Sequence, residues 1–282
     1  MNAYCDLHTH SRYSDGTAYP AQIVEEAVEA GLSAVALTDH NTVAGVPEFL
    51  ERAKDTSVRA IAGVEISTGY LGKELHIVGL FLKAEDFDKI TDFLSVINRR
   101  KEESNRNLIR RLNQAGYDLD YDRIRAENPG NVNRAVIAAA MLEKGYVSEI
   151  KEAFKGLLSK KSGYYVPPER ISAFGAIEFL HSIHAVPVLA HPFLNLQEAE
   201  LEVFLPRAKD CGLAAMETRY STYSPETTAK AIKMACGHGI LQSGGSDYHG
   251  NNKPDIRLGT GRGTLAVPYR FVEELEAYQK AL

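Results

Sequence analysis

The sequence predicts an α/β barrel interrupted by a small helical domain, and three observations point there. Short apolar runs alternate with amphipathic helical stretches, as a parallel sheet of βα units buried on both faces requires. Ionisable residues sit just past the apolar runs, where a barrel of such units places its chemistry. The alternation fails in one block, from about residue 86 to 165. A chain of 282 residues suits either two modest domains or one large barrel with an insertion. The interruption favours the barrel.

The first apolar residues lead into "DLHTHSRYSDG" (6–16), where His8 and His10 stand at i and i+2 and so share one face of a strand. Two protonated imidazoles there would repel each other, whereas a shared metal ion takes both as neutral ligands. An isolated pair of this kind is more simply a polar strand end, so the rest of the chain must decide. A helix follows at 20–31 ("PAQIVEEAVEAG"), with Pro20 at its start, Gly31 at its stop and a 3.6-residue apolar period. Further apolar runs lie at 34–41, 59–67, 74–82, 186–192, 213–219 and 239–250. His40 ends the first of these and Glu65 the second; His191 closes "VPVLA", and Asp247 and His249 follow "ILQSGG". Asp15 sits in a glycine-containing turn. His76 is the exception, lying near the start of its run.

"HTH" and "SDYH" echo each other at the two ends of the chain. First and last strands of a closed barrel are neighbours, so these pairs should meet. The Gly244-Gly245 pair lets the backbone turn and come close there. Asp39 reads as an acceptor for the second N–H of a metal-bound imidazole, or as a capping residue, rather than as a ligand. His181 and His184 read as helix surface, and His238 as part of a turn.

Within the interruption, residues 90, 93, 94 and 97 are apolar, then "NRRKEESNRN" (98–107) contains no apolar residue. Such a helix bridges through solvent or lines a polar site. Arg99, Arg106 and Arg110 share one face of it. Helical patterns resume at 135–145 and 148–161. The expected division is a barrel over 1–98 and 166–282, with a helical cap over 99–165. A solvated helix face accounts for most of its basic residues. Tyr164, Tyr165 and Tyr223 are candidates for stacking on a base, against the plainer account of packing where cap meets barrel.

Composition narrows the function classes. The chain is 44% hydrophobic and 24% charged, ordinary for a globular protein. Its formal charge of −5 argues against duplex DNA as a partner, which requires a basic surface. It still admits a small anion drawn to a local positive site. No run reaches the roughly 18–20 apolar residues of a membrane span. Cys5, Cys211 and Cys236 are odd in number and widely spaced, which predicts reduced packing residues in a cytoplasmic protein.

The candidate ligands are His8, His10, Asp15, His40, Glu65, His76, His191, Asp247 and His249. Nine are too many for one catalytic ion, which takes about three protein ligands and keeps a position open. They suit three ions, with a carboxylate such as Glu65 as a bridge. Three divalent cations bring +6 and three carboxylates −3, and the remaining +3 is matched by a hydroxide with a phosphate monoester dianion. Imidazole and carboxylate without thiolate suit Mn²⁺, Fe²⁺ or Zn²⁺ in a hydrolytic role, and Mn²⁺ is the first expectation.

"DLHTHSRYSDG", "LTDHN", "GVEIS", "LAHP" and "GGSDYHG" resemble, in order and spacing, the signature motifs of the PHP (polymerase and histidinol phosphatase) family. The resemblance implies a distorted (β/α)7 barrel and a metal-dependent phosphoesterase. Length and insertion resemble the stand-alone bacterial branch that contains 3′,5′-nucleotide bisphosphate phosphatases and a 5′-to-3′ exoribonuclease acting on short RNAs. It further implies that His8, His10, Glu65 and Asp247 hold one metal, Glu65, His76 and His191 a second, and Asp15, His40 and His249 a third. Arg99 and Arg134 match the places of phosphate-binding arginines, whose planar fork bonds two oxygens at once. The branch's Gly-Arg-Pro-His-like run is "NRAVIA" (133–138) here, with Val136 in the place of the histidine, so substrate preference should differ. The expected nucleophile is a hydroxide generated on the metals, with no protein general acid assigned. The alternatives are a phosphatase of another small phosphomonoester such as histidinol phosphate, an amide hydrolase, and a non-catalytic metal-binding regulatory protein.

Overall fold

The structure, a computed structural model, describes residues 3–128 and 132–282. Eight strands form one sheet: β1 (Tyr4–Asp6), β2 (Ala34–Leu37), β3 (Arg59–Tyr70), β4 (Lys73–Leu80), β5 (Val186–Leu189), β6 (Ala215–Tyr220), β7 (Leu241–Gly245) and β8 (Val267–Pro268). Their order is β7-β6-β5-β4-β3-β2-β1-β8. β7 returns to β1, because the Leu7 N–H donates to the Gly244 carbonyl at 3.2 Å and Thr9 bridges in parallel to Tyr248. Seven strands therefore close on themselves, with the two-residue β8 added antiparallel to β1. This is the distorted (β/α)7 barrel of the expectation.

Eleven helices are described: α1 (Pro20–Glu29), α2 (Val46–Ala53), α3 (Phe87–Gln114), α4 (Tyr121–Glu127), α5 (Arg134–Glu143), α6 (Ile150–Lys155), α7 (Ala173–Ser182), α8 (Pro192–Asn195), α9 (Glu198–Asp210), α10 (Pro225–His238) and α11 (Arg270–Lys280). The local reasons are those read in the sequence. Pro20 opens α1, the Gln22 side chain accepts the Tyr19 N–H at 2.7 Å, and Ile23, Val24 and Ala27 form its buried stripe. Ser172 and Ser224 cap α7 and α10, and Gly239 ends α10 in the left-handed region. "AVAL" in β2 and "VPVL" in β5 are buried throughout, as strands covered on both faces must be. Phe271, Val272 and Leu275 of α11 join the strands' inward residues in one core, each contributing about 1.5–3 kcal/mol by burial.

The expectation of a parallel sheet needs one correction. β4 runs antiparallel to both β3 and β5. Leu71 and Gly72 join β3 to β4 at φ of +50° and +73°, the conformation a two-residue hairpin turn demands. This explains His76. In an antiparallel strand the early residues lie beside the carboxyl ends of the parallel ones. Glu65, likewise, does not end β3. The β2–β3 ladder stops at Ala62, and beyond it β3 continues to Tyr70 paired with β4.

The chain divides into two compact units, Met1–Asp92 with Ile171–Leu282, and Phe93–Arg170. The second has its own core, which includes Leu108, Leu112, Ile137, Met141 and Tyr165. Its polar stretch 98–107 lies within the uninterrupted α3 and is not solvated all round. Ser104 and Asn105 are buried, bonding the Val166 and Val132 carbonyls at 2.6 and 2.8 Å. The helix expected at 148–161 is only α6, because Gly156 leaves the helical region. Among the described residues no helix is long and apolar enough to cross a membrane.

Candidate metal centre

All nine predicted ligands belong to the first unit, and its strands bring them together. The Asp247 N–H donates to the His8 carbonyl and the His10 N–H to the Tyr248 carbonyl, both at 2.9 Å, so the two ends of the chain interlock. The His10 and His249 rings lie 4.2 Å apart.

Glu65 is the hub. Its Oε1 lies 2.8 Å from His76 Nδ1 and 3.1 Å from His191 Nε2. Its Oε2 lies 3.2 Å from both His8 Nε2 and His10 Nε2, and 2.9 Å from His40 Nδ1. Asp247 Oδ1 adds a second acceptor 3.2 Å from His10 Nε2. Asp15 lies 3.2 Å from His249 Nε2 and 3.8 Å from His40 Nε2. Four overlapping groups could each hold an ion: His10, Asp15, His40 and His249; His8, Glu65 and His191; His8, His10 and Asp247; His40, Glu65 and His76.

Charge explains why such a cluster suits cations. Burial opposes a charge on His10, but Asp247 and Glu65 push it up to about 9. Burial likewise opposes a charge on His76, yet Glu65 and Glu74 push it up to about 10. For His40 burial wins and holds it down at about 4. The imidazoles in turn hold the buried Asp15, Glu65 and Asp247 carboxyls well below their usual range. His8 Nε2, both ring nitrogens of His10 and of His76, and Glu65 Oε2 are buried without a hydrogen bond of good geometry. Divalent cations would satisfy these atoms, and the donor set of neutral imidazoles and carboxylates fits them.

The surrounding residues aim the donors. Glu217 Oε1 accepts His8 Nδ1–H at 2.7 Å and its Oε2 accepts the His191 backbone N–H at 2.6 Å, which turns His8 Nε2 toward Glu65. Asn195 takes His191 Nδ1 at 3.3 Å, and the Asp247 carbonyl accepts His249 Nδ1–H at 2.9 Å. Tyr220 and Lys253 both donate to Asp247 Oδ2 at 2.6 Å, leaving Oδ1 to face the imidazoles. His191 and Asp247 have φ of +28° and +57°, unusual for non-glycine residues and found where a site over-determines the backbone.

The sequence reading missed Glu217, although "LAAMETR" follows the same pattern of an apolar run ending in an acid. Asp39 joins no ligand group and takes the capping role, one of the two expected for it. It accepts from the Ser11 N–H and hydroxyl and from the Ser14 hydroxyl at 2.6–2.7 Å, tying down the loop between His10 and Asp15 rather than orienting an imidazole. Tyr223 donates to nothing in the cluster; its hydroxyl accepts the Phe193 N–H at 3.0 Å. His181, His184 and His238 join no ligand group among the described residues.

Glu217→Gln tests the aiming role. It keeps the shape but lets the amide donate to His8, inviting the wrong tautomer. Cation affinity should fall about 10–100-fold with little change in melting temperature, measured by titration with Mn²⁺.

Arg99 and Arg134 lie in the second unit. Arg99 is exposed on α3. Arg134 opens α5, donates to the Leu158 carbonyl at 3.3 Å and lies 4.3 Å over the Tyr165 ring. Tyr165 is buried in that unit's core, and Tyr164 packs against it.

The family profile of the PHP domain matches residues 6–166. A 5′-3′ exoribonuclease from Haemophilus influenzae is 32% identical over 88% of this chain and 91% of its own length. A 3′,5′-nucleoside bisphosphate phosphatase from Chromobacterium violaceum is 26% identical over 88% and 87%. Among solved structures, an amidohydrolase from Chromobacterium violaceum, with bound sulfate and no metal, superposes with a TM-score of 0.84 at 25% identity, covering 98% of this chain and 96% of that one.

Proposed function

The chain belongs to the PHP domain family and is a metal-dependent phosphoesterase, and we propose that it hydrolyses phosphate esters of small nucleotides, of the 3′,5′-nucleoside bisphosphate type, or short 5′-phosphorylated RNAs. The observation that carries this reading is the placement of five imidazoles around the two oxygens of Glu65. We further propose that the nine ligands hold three divalent cations, Mn²⁺ first among them. His8, His10, Glu65 and Asp247 would hold one, Glu65, His76 and His191 a second, and Asp15, His40 and His249 a third. Cations in such a site lower the pKa of water and polarise a phosphoryl oxygen.

The residues of the chain contribute position and charge. Glu217, Asn195, Tyr220 and Lys253 hold the donors in their rotamers before substrate arrives. Arg99 and Arg134 are proposed to grip the phosphate, and the inserted helices to act as the cap over the substrate. A cytoplasmic setting accords with three free cysteines.

The test is phosphate release from a panel containing a 3′,5′-nucleoside bisphosphate, a short 5′-phosphorylated RNA and histidinol phosphate. Release should stop after chelation and return with Mn²⁺. Arg134→Met should raise KM for the nucleotides about 10- to 100-fold, as expected for a lost bond to a charged group. Metal-independent release, or hydrolysis of amides alone, would refute the reading.

A further inference from the structure

The two units differ in charge far more than the chain's overall −5 suggests. Residues 93–170 contain 15 Lys and Arg against 10 Asp and Glu, a formal +5, so the rest of the chain carries −10. Outside its metal centre, the acidic unit is a poor surface for a polyanion. The basic unit is a good one.

One of its segments carries positive charge alone. Residues 153–168 contain Lys155, Lys160 and Lys161 and no acid. All three lysines are exposed, and among the described residues none forms an ion pair. Two arginines from elsewhere in the unit fasten onto the same segment. Arg111 of α3 donates to the Gly163 carbonyl at 3.0 Å, and Arg134 of α5 donates to the Leu158 carbonyl at 3.3 Å. By contrast, Arg106, Arg123 and Lys144 in this unit are each matched to a carboxylate. Tyr164, half-buried and packed against the unit's core, belongs to the same segment. Exposed cations without carboxylate partners, in a segment that also carries an aromatic, are the chemistry that holds a single-stranded nucleic acid backbone without reading sequence.

We propose that Arg111, Lys155, Lys160 and Lys161 form a track for the phosphodiester backbone of single-stranded RNA. This rests on the nucleotide phosphoesterase reading and sharpens it. The track favours oligonucleotides over mononucleotides, and duplexes are no part of it.

The experiment uses the full-length protein and the variant Lys155→Gln/Lys160→Gln/Lys161→Gln. These side chains are exposed and outside the unit's core, and the matching triple arginine variant serves as rescue. Two readouts are taken: fluorescence anisotropy of a labelled twelve-nucleotide RNA between 50 and 200 mM KCl, and phosphate release from a 3′,5′-nucleoside bisphosphate. The glutamine variant should bind the RNA about tenfold more weakly at the higher salt, with a salt slope shallower by about 2, as losing three phosphate contacts predicts. Release from the bisphosphate should be unchanged, and the arginine variant should bind like wild type. Unaltered RNA affinity and slope, or equal displacement of the RNA by polyglutamate of the same length, would overturn the track. Loss of bisphosphate hydrolysis in the wild type would instead overturn the phosphoesterase reading, while the anisotropy would still decide the track.

Discussion

Glu65→Gln should abolish turnover and strip the protein of its cations. The side chain keeps its size but loses the charge that five imidazoles share, across contacts of 2.8 to 3.2 Å. An amide oxygen can accept at one position, but the amide nitrogen would present N–H groups to ring nitrogens that must stay unprotonated to bind metal. Elemental analysis should find the variant depleted of metal, and phosphate release should fall by at least about 10²–10³-fold, the scale of losing one preorganised electrostatic element. Protons provide an independent check. In wild type without metal, His10 and His76 stay protonated up to about pH 9 and 10. Cations must displace those protons, so Mn²⁺ added at pH 7 should acidify a weakly buffered solution. Affinity should then rise with pH until those values are passed. A Glu65→Gln protein that retains full metal content and rate would mean the carboxylate is no hub.

Much of this candidate centre was legible because most of its proposed ligands follow an apolar run, and the reasons for the exceptions are topological. His76 broke the pattern only under the assumption that every strand is parallel. The runs at 59–67 and 74–82 are six residues apart, too few for the crossover of a dozen or more that parallel strands need. Spacing alone therefore implied the hairpin, and with it the reversed end at which His76 sits. Glu217 was hidden differently. "LAAMETR" has the same form as the ligand-bearing runs, but without a histidine beside it a strand-end glutamate looks like any other charge. Its role depends on His8 and His191, which lie 209 and 26 residues away. Asp39 left two roles open because its neighbour in sequence is His40, whereas its hydroxyl partners Ser11 and Ser14 come from the preceding strand's loop.

The polar stretch of α3 marks another boundary of pattern reading. Periodicity identifies which face of a helix is apolar, but it cannot show that Ser104 and Asn105 are buried against backbone carbonyls of segments distant in sequence. Such burial needs a bonding partner, and the partner is set by tertiary contact. The proposed metal ligands escape that limit because such chemistry demands unusual residue types at strand ends, which the sequence displays directly.

The glycine pair before Asp247 yields the second large effect. Neither Gly244 nor Gly245 has a positive φ, so conformational freedom is not what they provide. They provide proximity. A Cβ on Gly245 would lie 2.4 Å from His8 Cβ and 2.5 Å from the His8 nitrogen, and one on Gly244 would lie 2.5 Å from the Arg219 carbonyl oxygen. These neighbours are backbone or backbone-anchored atoms that cannot rotate away. Gly245→Ala must therefore push β7 from β1, lengthening the bonds that join Leu7 to Gly244 and His8 to Asp247. The expected cost is about 3 kcal/mol, the upper range for overpacking, which lowers the melting temperature by about 6 °C or more. Because the segment after β1 carries His8 and the turn after β7 carries Asp247, cation affinity should fall in parallel. Gly237→Ala is the control: a Cβ there meets nothing within 4 Å and its helix gains from alanine, so its melting temperature should hold or rise slightly. Equal behaviour of the two variants in a thermal melt would show that the close approach of β7 to His8 does not govern the site.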